Sequence, residues 1–423
     1  MTGRAMAEVV GGLLFLSTAA CGGRFEAAPA VAGHDAGSLS AGGDAGASPV
    51  AGAQAPVVDG GVPASPPPLM GGASPPPRTC PAAPPPGATW TDVPPPAGLP
   101  AGFFVTDAWS AGPDEFFFVG ADPADAVGDP SAIRRVLHWS SGCWTIELAV
   151  TGGPTAAQIS GTSPNDVWIT TGDSIFHRDS SGWSPAAQLN AALAPAPGNV
   201  LILEDVQART PVDVWFTSSA MIVHFLNGQV TTTEIPAGPS PDPSTPPITF
   251  AYAAISILGE NDVWIGGSAE QNANTMPPAV LFHFDGQSWT VHGPVGPIAV
   301  EALWPAGSPD ALWVAVAAAA GQAFPIVGFA NDTVTQTTIA NWEMGGDVIS
   351  LWGRAPNDIW AAGKDIAHFD GTSWSQVADA PASVRDNTDA TVFDEAVVVG
   401  DATTTWLTNA GPVFVRKAAS ASP

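Results

Sequence analysis

NDVW at Asn165–Trp168, VDVW at Val212–Trp215, NDVW at Asn261–Trp264, PDALW at Pro309–Trp313 and NDIW at Asn357–Trp360 are five versions of one signal. Each has an acid, one aliphatic residue (two in the fourth) and a tryptophan. Successive Trp lie 47, 49, 49 and 47 residues apart. Two degenerate copies flank the five. PDEFFFVG (Pro113–Gly120) sets Phe117 in register with Trp360, and DEAVVVG (Asp394–Gly400) sets Val397 there. Seven copies share residues 89–418, about 47 residues each. A period of about 40–50 residues built from several short strands marks a β-propeller.

The sixth copy shows how one unit divides. Val348–Trp352 reads as the inner strand, GRAPN (Gly353–Asn357) as a turn, and Asp358–Gly363 as the second strand. Ile366–Phe369 is then the third strand and Trp374–Val377 the outer one. A second interval fixes the register independently. His138 to Trp144, His177 to Trp183, His224 to Val230, His283 to Trp289 and His368 to Trp374 are all six residues apart. The hairpin from third to outer strand therefore has one length in five copies. The expected fold is all-β, a seven-bladed propeller of four-stranded blades.

HFDGTSWSQVADAP (His368–Pro381) and HFDGQSW (His283–Trp289) resemble the second half of a kelch-type repeat, as in bacterial kelch-like and galactose-oxidase-type propellers. The resemblance runs at repeat level over residues 89–418. The kelch double glycine is complete only at Gly266–Gly267, and His and Phe stand in place of its tyrosine. Asp370-Gly371 ahead of Trp374 is similar to the Asp-box of sialidases, with the aspartate one residue nearer the Trp. The resemblance implies the fold and carries over no functional residue.

The N-terminus reads as an export signal over residues 1–20: Arg4, the short apolar run Val9–Leu16, then small residues ending in STAAC (Ser17–Cys21). The apolar run is too short to span a bilayer. The ending is similar to a lipoprotein signal, which implies acylation of Cys21, although Thr18 stands where Leu is usual and Glu8 sits beside the apolar run. An ordinary secretory signal with an unmodified cysteine is the alternative. Residues 21–88 form an Ala/Gly/Pro/Ser-rich tether with too little bulky apolar side chain to bury, and 419–423 are a tail. Such a tether would hold a folded domain away from a membrane.

The chain has 12 Lys plus Arg against 39 Asp plus Glu, a net charge of −27. That field repels phosphate backbones and excludes a nucleic-acid partner. Contact with a membrane is expected only through the lipid, and the expected assembly is a monomer in the bacterial cell envelope: outer membrane, cell surface or secreted.

Thirteen of the 16 Trp occupy repeat positions, which points to filling between blades rather than to sugar-stacking platforms. The five repeated His lie on a wide ring instead of converging on a point within metal–ligand distance, so they read as core or hairpin residues. The Asp of each D-x-W opens a strand beside a turn, where its carboxylate is expected to accept backbone N–H bonds. No catalytic residue, metal or cofactor is expected. Tyr252 is the only tyrosine, short of what a tyrosine-ligated copper site needs, and GxSxG, HExxH, P-loop and dinucleotide motifs are missing. Paired acids in the channel remain open as an alternative, a carbohydrate-active hydrolase or lyase.

Three further expectations follow. Strand parity puts all the long insertions (residues 121–134, 186–203, 236–250, 268–279 and 317–325) at one end of the ring, where a rigid scaffold would present them to a protein or glycan ligand. TWTDVPPP (Thr89–Pro96) copies the outer-strand pattern SWSQVADAP, so residues 89–95 are expected to pair with the seventh blade and join the chain ends. With Cys21 lipidated, Cys80 and Cys143 are left to pair in an oxidising compartment; two free thiols are the alternative.

Overall fold

The computed structural model describes residues 78–81, 90–122, 133–151, 157–194, 202–235, 249–270, 278–308, 311–317, 326–337, 339, 348–363, 365–381, 397–401, 404–408 and 413–417. The proposed signal, Cys21, most of the tether and the tail lie outside them.

The described strands form seven antiparallel four-stranded sheets, arranged as the blades of a propeller. In blade 1 these are Phe104–Gly112, Glu115–Ala121, Ile133–Ser140 and Cys143–Thr151. Blades 2 to 6 repeat the order from inner to outer strand, beginning at Gln158, Leu203, Thr249, Val300 and Val348. The sixth blade matches the sequence reading closely: its second strand is Asp358–Gly363 and its third Ile366–Phe369. One short helix, Ala187–Ala192, sits between blades 2 and 3.

Blade 7 is built from both chain ends. Val397–Gly400, Thr404–Thr408 and Val413–Lys417 are its inner three strands, and Thr91–Val93 is the outer one. Thr91 pairs with Val415, Asp92 with Phe414 and Val93 with Val413. The seventh copy needs a correction, because Val397 lies on the inner strand and Trp406 holds the second-strand position. Val397–Val399 are buried, and a continuous buried apolar run does not reveal which strand it forms. Trp406 keeps the period, 46 residues after Trp360, but Thr404 replaces the acid, so the signature is lost.

The Trp fill the clefts between blades by two recurring rules. An outer-strand Trp packs edge-on against the second-strand Trp of the preceding blade: Trp289 on Trp215 (centroids 6.0 Å), Trp374 on Trp313 (5.5 Å) and Trp144 on Trp406 (5.9 Å). Trp90 meets Trp360 in the same way at 6.1 Å, so the residue before Thr91–Val93 behaves as an outer-strand Trp of blade 7. An inner-strand Trp instead lies over a glycine of the next blade. A Cβ at Gly161 would come within 2.9 Å of Trp109, and one at Gly400 within 2.5 Å of Trp352.

Four of the repeated His stack on the aromatic residue opposite them, and His368 packs tilted against its own. His177 lies on Trp168 (3.9 Å), His224 on Trp215 (3.8 Å), His283 on Trp264 (4.1 Å), His368 on Trp360 (4.5 Å) and His138 on Phe117 (4.0 Å). Each Nε2 meets the acid that opens the second strand: Asp166 at 2.7 Å, Asp213 at 2.8 Å, Asp262 at 3.0 Å, Asp358 at 2.7 Å and Glu115 at 2.9 Å. The indole N–H of Trp168, Trp264 and Trp360 donates to the same carboxylates. This corrects the expected partner of those acids, which hold the His and Trp side chains rather than turn N–H groups. The reason is geometric. On one face of a strand, residues two apart are neighbours, and the cross-strand His completes the contact.

Candidate functional site

The inner strands of all seven blades enclose a central cavity of about 680 Å³. Its described lining includes Asp107, Glu204, Asp205 and Glu301, with no Lys, Arg or His among them. The inner-strand backbone explains how the two glutamates reach it. Register shifts separate Leu203 from Asp205 and Val300 from Ala302, so Glu204 and Glu301 are the extra residues of two equivalent β-bulges. A bulge re-aims the side chain of its unpaired residue, here into the channel. Thr106 and Ile349 are skipped likewise in blades 1 and 6.

The two aspartates have a different task. Asp107 accepts from its neighbour Ala108 N–H at 2.8 Å and from Ile159 N–H of blade 2 at 2.8 Å. Asp205 accepts from Val206 N–H at 2.7 Å and from Ile255 N–H of blade 4 at 2.7 Å. Each stitches its inner strand to the next blade. Ser160 and Gln207 do the same for Ala208 and Ile257.

Burial pushes the Asp107 carboxyl up to about 7 against the pull of its two N–H donors. Asp205 is also raised well above 3.8, by burial and by the charge of Asp107. Glu204 rises to about 7 through burial and the proximity of Glu301. The opposite case lies between blades 1 and 2. Burial works against the Glu147 charge, but hydrogen bonds from His138 (2.7 Å) and Arg178 (2.7 Å) outweigh it and bring the carboxyl down to about 2.

These shifts set a pH dependence of stability. Glu147 contributes stability that is complete above its ordinary 4.5 and is lost as pH falls toward 2. The channel acids bind protons more tightly when folded, so their contribution is complete below about 4 and declines as pH climbs to about 7. The melting temperature is expected to be higher at pH 5 than at pH 8, and Glu204→Gln should raise it at pH 8 while leaving pH 5 nearly unchanged. An equal shift of Glu204→Gln at both pH values would contradict this.

The acids line the channel, but no group of three His, Cys, Asp or Glu among the described residues could hold a metal ion. No described helix is long and apolar enough to cross a membrane. Cys80 and Cys143 are joined as a disulfide, with their Cα atoms 4.1 Å apart. Sequence reasoning missed Glu204 and Glu301, because bulges leave no pattern in residue type.

At one end of the ring the connections are short, for example Pro113–Asp114, Ser180–Ser181 and Asn227–Gly228 between their strands. The long ones gather at the other end. They include 94–103, 186–202, 234–248, 337–347 and 377–396, together with the second-to-third-strand links 122–132, 271–278 and 317–325. The parts 123–132, 195–201, 236–248, 271–277 and 318–325, where most of the expected recognition loops fall, lie outside the described residues.

No protein-family model and no curated protein matches the sequence. Solved structures do. The chain is similar to YCF48 from Cyanidioschyzon merolae, at TM-score 0.51 and 13% identity over 79% of this chain and 100% of that one. A structure titled YCF48 bound to D1 peptide matches at 0.50 and 13%, over 82% and 100%. The extracellular domain of BT3049 from B. thetaiotaomicron matches at 0.51 and 11%, over 78% of this chain and 42% of that one. At such identities the likeness is one of fold. The shared fold is the β-propeller.

Proposed function

We propose that the chain is an exported propeller, anchored by a lipid on Cys21, that binds a protein or glycan ligand at its long-connection end as a binding or scaffolding module of the bacterial cell envelope. In this reading the repeats are of kelch-like type, the tether holds the ring clear of the membrane, and the ring acts as a monomer. The observation that carries the reading is the asymmetry of the ring: short turns at one end and all the long connections at the other. Rigid blades with variable connections on one end are a common recognition scaffold. The repeated His, Trp and acids add to it, because their polar groups are occupied in bonds within each blade. A peptide-bound structure of a similar propeller, YCF48 with D1 peptide, supports a peptide as one class of ligand.

A second reading is a carbohydrate-active hydrolase or lyase. It rests on Glu204, held at about 7 beside Glu301, as an acid poised to donate a proton. A glycan array combined with capture from envelope extracts tests both readings. Retention of a ligand without turnover supports the binder. Turnover that disappears in Glu204→Gln supports the enzyme. For the anchor, Cys21→Ser is expected to move the mature protein from the detergent phase to the aqueous phase. Unchanged partitioning would remove the lipid from the account.

A further inference from the structure

The tether reaches the ring before the closing strand does. Thr79 forms a two-way backbone bridge to Trp144 on the outer strand of blade 1: Thr79 N–H donates to Trp144 O at 3.1 Å, and Trp144 N–H to Thr79 O at 2.7 Å. Arg78 donates to Ser140 O at 3.2 Å, and Ala97 N–H donates to Thr79 Oγ1 at 3.1 Å. Cys80 is bonded to Cys143 at the start of that same strand, 63 residues further along the chain. Only after this attachment does the chain continue to Thr91–Val93 on blade 7.

That order has a mechanical consequence. Blade 1 is four consecutive strands of one chain, whereas blade 7 is closed by a separate strand of three residues. If residues 78–81 were held only by their hydrogen bonds, tension on the chain upstream would break those few contacts. It would then reach Thr91–Val93 end-on and unpair it from Val413–Val415 one residue at a time. With Cys80 bonded to Cys143, the same tension enters blade 1 through the two sulfurs and is not passed on to Thr91–Val93.

We propose that Cys80–Cys143 is a tension bypass that isolates ring closure from force on the tether. The proposal rests on the anchored-tether reading only for the origin of the force. Closing the bond takes two protons and two electrons from the two thiols. A disulfide oxidant such as oxidised glutathione accepts them and leaves as two thiols.

Optical tweezers test the bypass directly on the full mature chain carrying Cys21→Ser. One handle is placed at its N-terminus and the other on a click-reactive residue replacing Thr335, which is exposed on the outer strand of blade 5. In dithiothreitol, a first low-force step of roughly 50 Å is expected before the ring ruptures, corresponding to the release of residues 78–93. After treatment with oxidised glutathione that step should vanish, leaving only ring rupture. Cys143→Ser should show the step under both conditions; if that variant does not fold, reduced wild type serves alone. An early step in both redox states, or in neither, overturns the proposal. Because the instrument supplies the force, the result does not depend on whether Cys21 is lipidated.

Discussion

Trp360→Ala is expected to cost about 3–5 kcal/mol, among the largest single-residue effects in the ring. The side chain is 6% exposed and joins three separate contacts. His368 packs tilted against it at 4.5 Å, its indole N–H donates to Asp358 at 3.0 Å, and Trp90 packs edge-on against it at 6.1 Å. Removing it opens a cavity at the seam between blades 6 and 7 and leaves Asp358 and His368 without their packing surface. Trp264 is as well buried and has the equivalent partners Asp262 and His283, but it lies far from the closing strand in the ring order. Both alanine variants should lose stability in chemical denaturation. Only Trp360→Ala should also accelerate amide exchange at Thr91–Val93. A cost below about 1 kcal/mol, or equal exchange at Thr91–Val93 in the two variants, would contradict the packing described.

Shortening the chain to begin at Ala97 should cost more still, on the order of 5 kcal/mol or more, a large fraction of the stability of a typical domain. The truncation removes Val93, which is 2% exposed in the core of blades 7 and 1, and the Trp90 ring from the core of blades 6 and 7. It also turns Val413–Lys417 into an unpaired edge beside the buried Val413 and Val415. Loss of the Cys80–Cys143 link would contribute as well, about 4 kcal/mol in the chain-entropy account. The point variant Val93→Asp separates the two effects, since it keeps the disulfide while burying a charge at the closing strand. A lower denaturation midpoint is expected for both chains, with the truncation lower than Val93→Asp. A truncated chain as stable as the full one would show that the ring closes without its N-terminal strand.

Much of this fold is legible in the sequence because each blade repeats a physical requirement. The second strand needs an acid and an aromatic residue two positions apart, the third needs a His opposite that aromatic, and the hairpin that follows has a fixed length. Blades 2, 3, 4 and 6 meet all of these, and blade 1 meets them with Glu115, Phe117 and His138. TWTDVPPP is readable as a closing strand because Trp90 must fill the cleft that Trp374 fills one blade earlier.

Blade 7 departs from the pattern where those requirements lapse. Thr404 replaces the acid and Val415, opposite Trp406, replaces the His, so a valine run was the strongest remaining signal. The Trp406 indole N–H accordingly has no partner among the described residues. The channel acids were hidden for another reason. Glu204 precedes Asp205 on one strand, and only the bulge between Leu203 and Asp205 turns the first toward the channel while the second bonds the next blade. A backbone irregularity of one residue has no signature in composition or period.

Under the proposed function recognition needs the long-connection end and not the channel glutamates, and one comparison tests that division. Two variants of the mature protein are assayed against envelope extract and a glycan array: one with segments 236–248 and 271–277 replaced by short Gly-containing turns, the other with Glu204→Gln and Glu301→Gln. The binding account predicts that the shortened variant loses the captured ligand, while the glutamine variant retains it and gains stability above pH 7. A ligand kept by the shortened variant and lost, or no longer turned over, by the glutamine variant would move the functional site into the channel and contradict it.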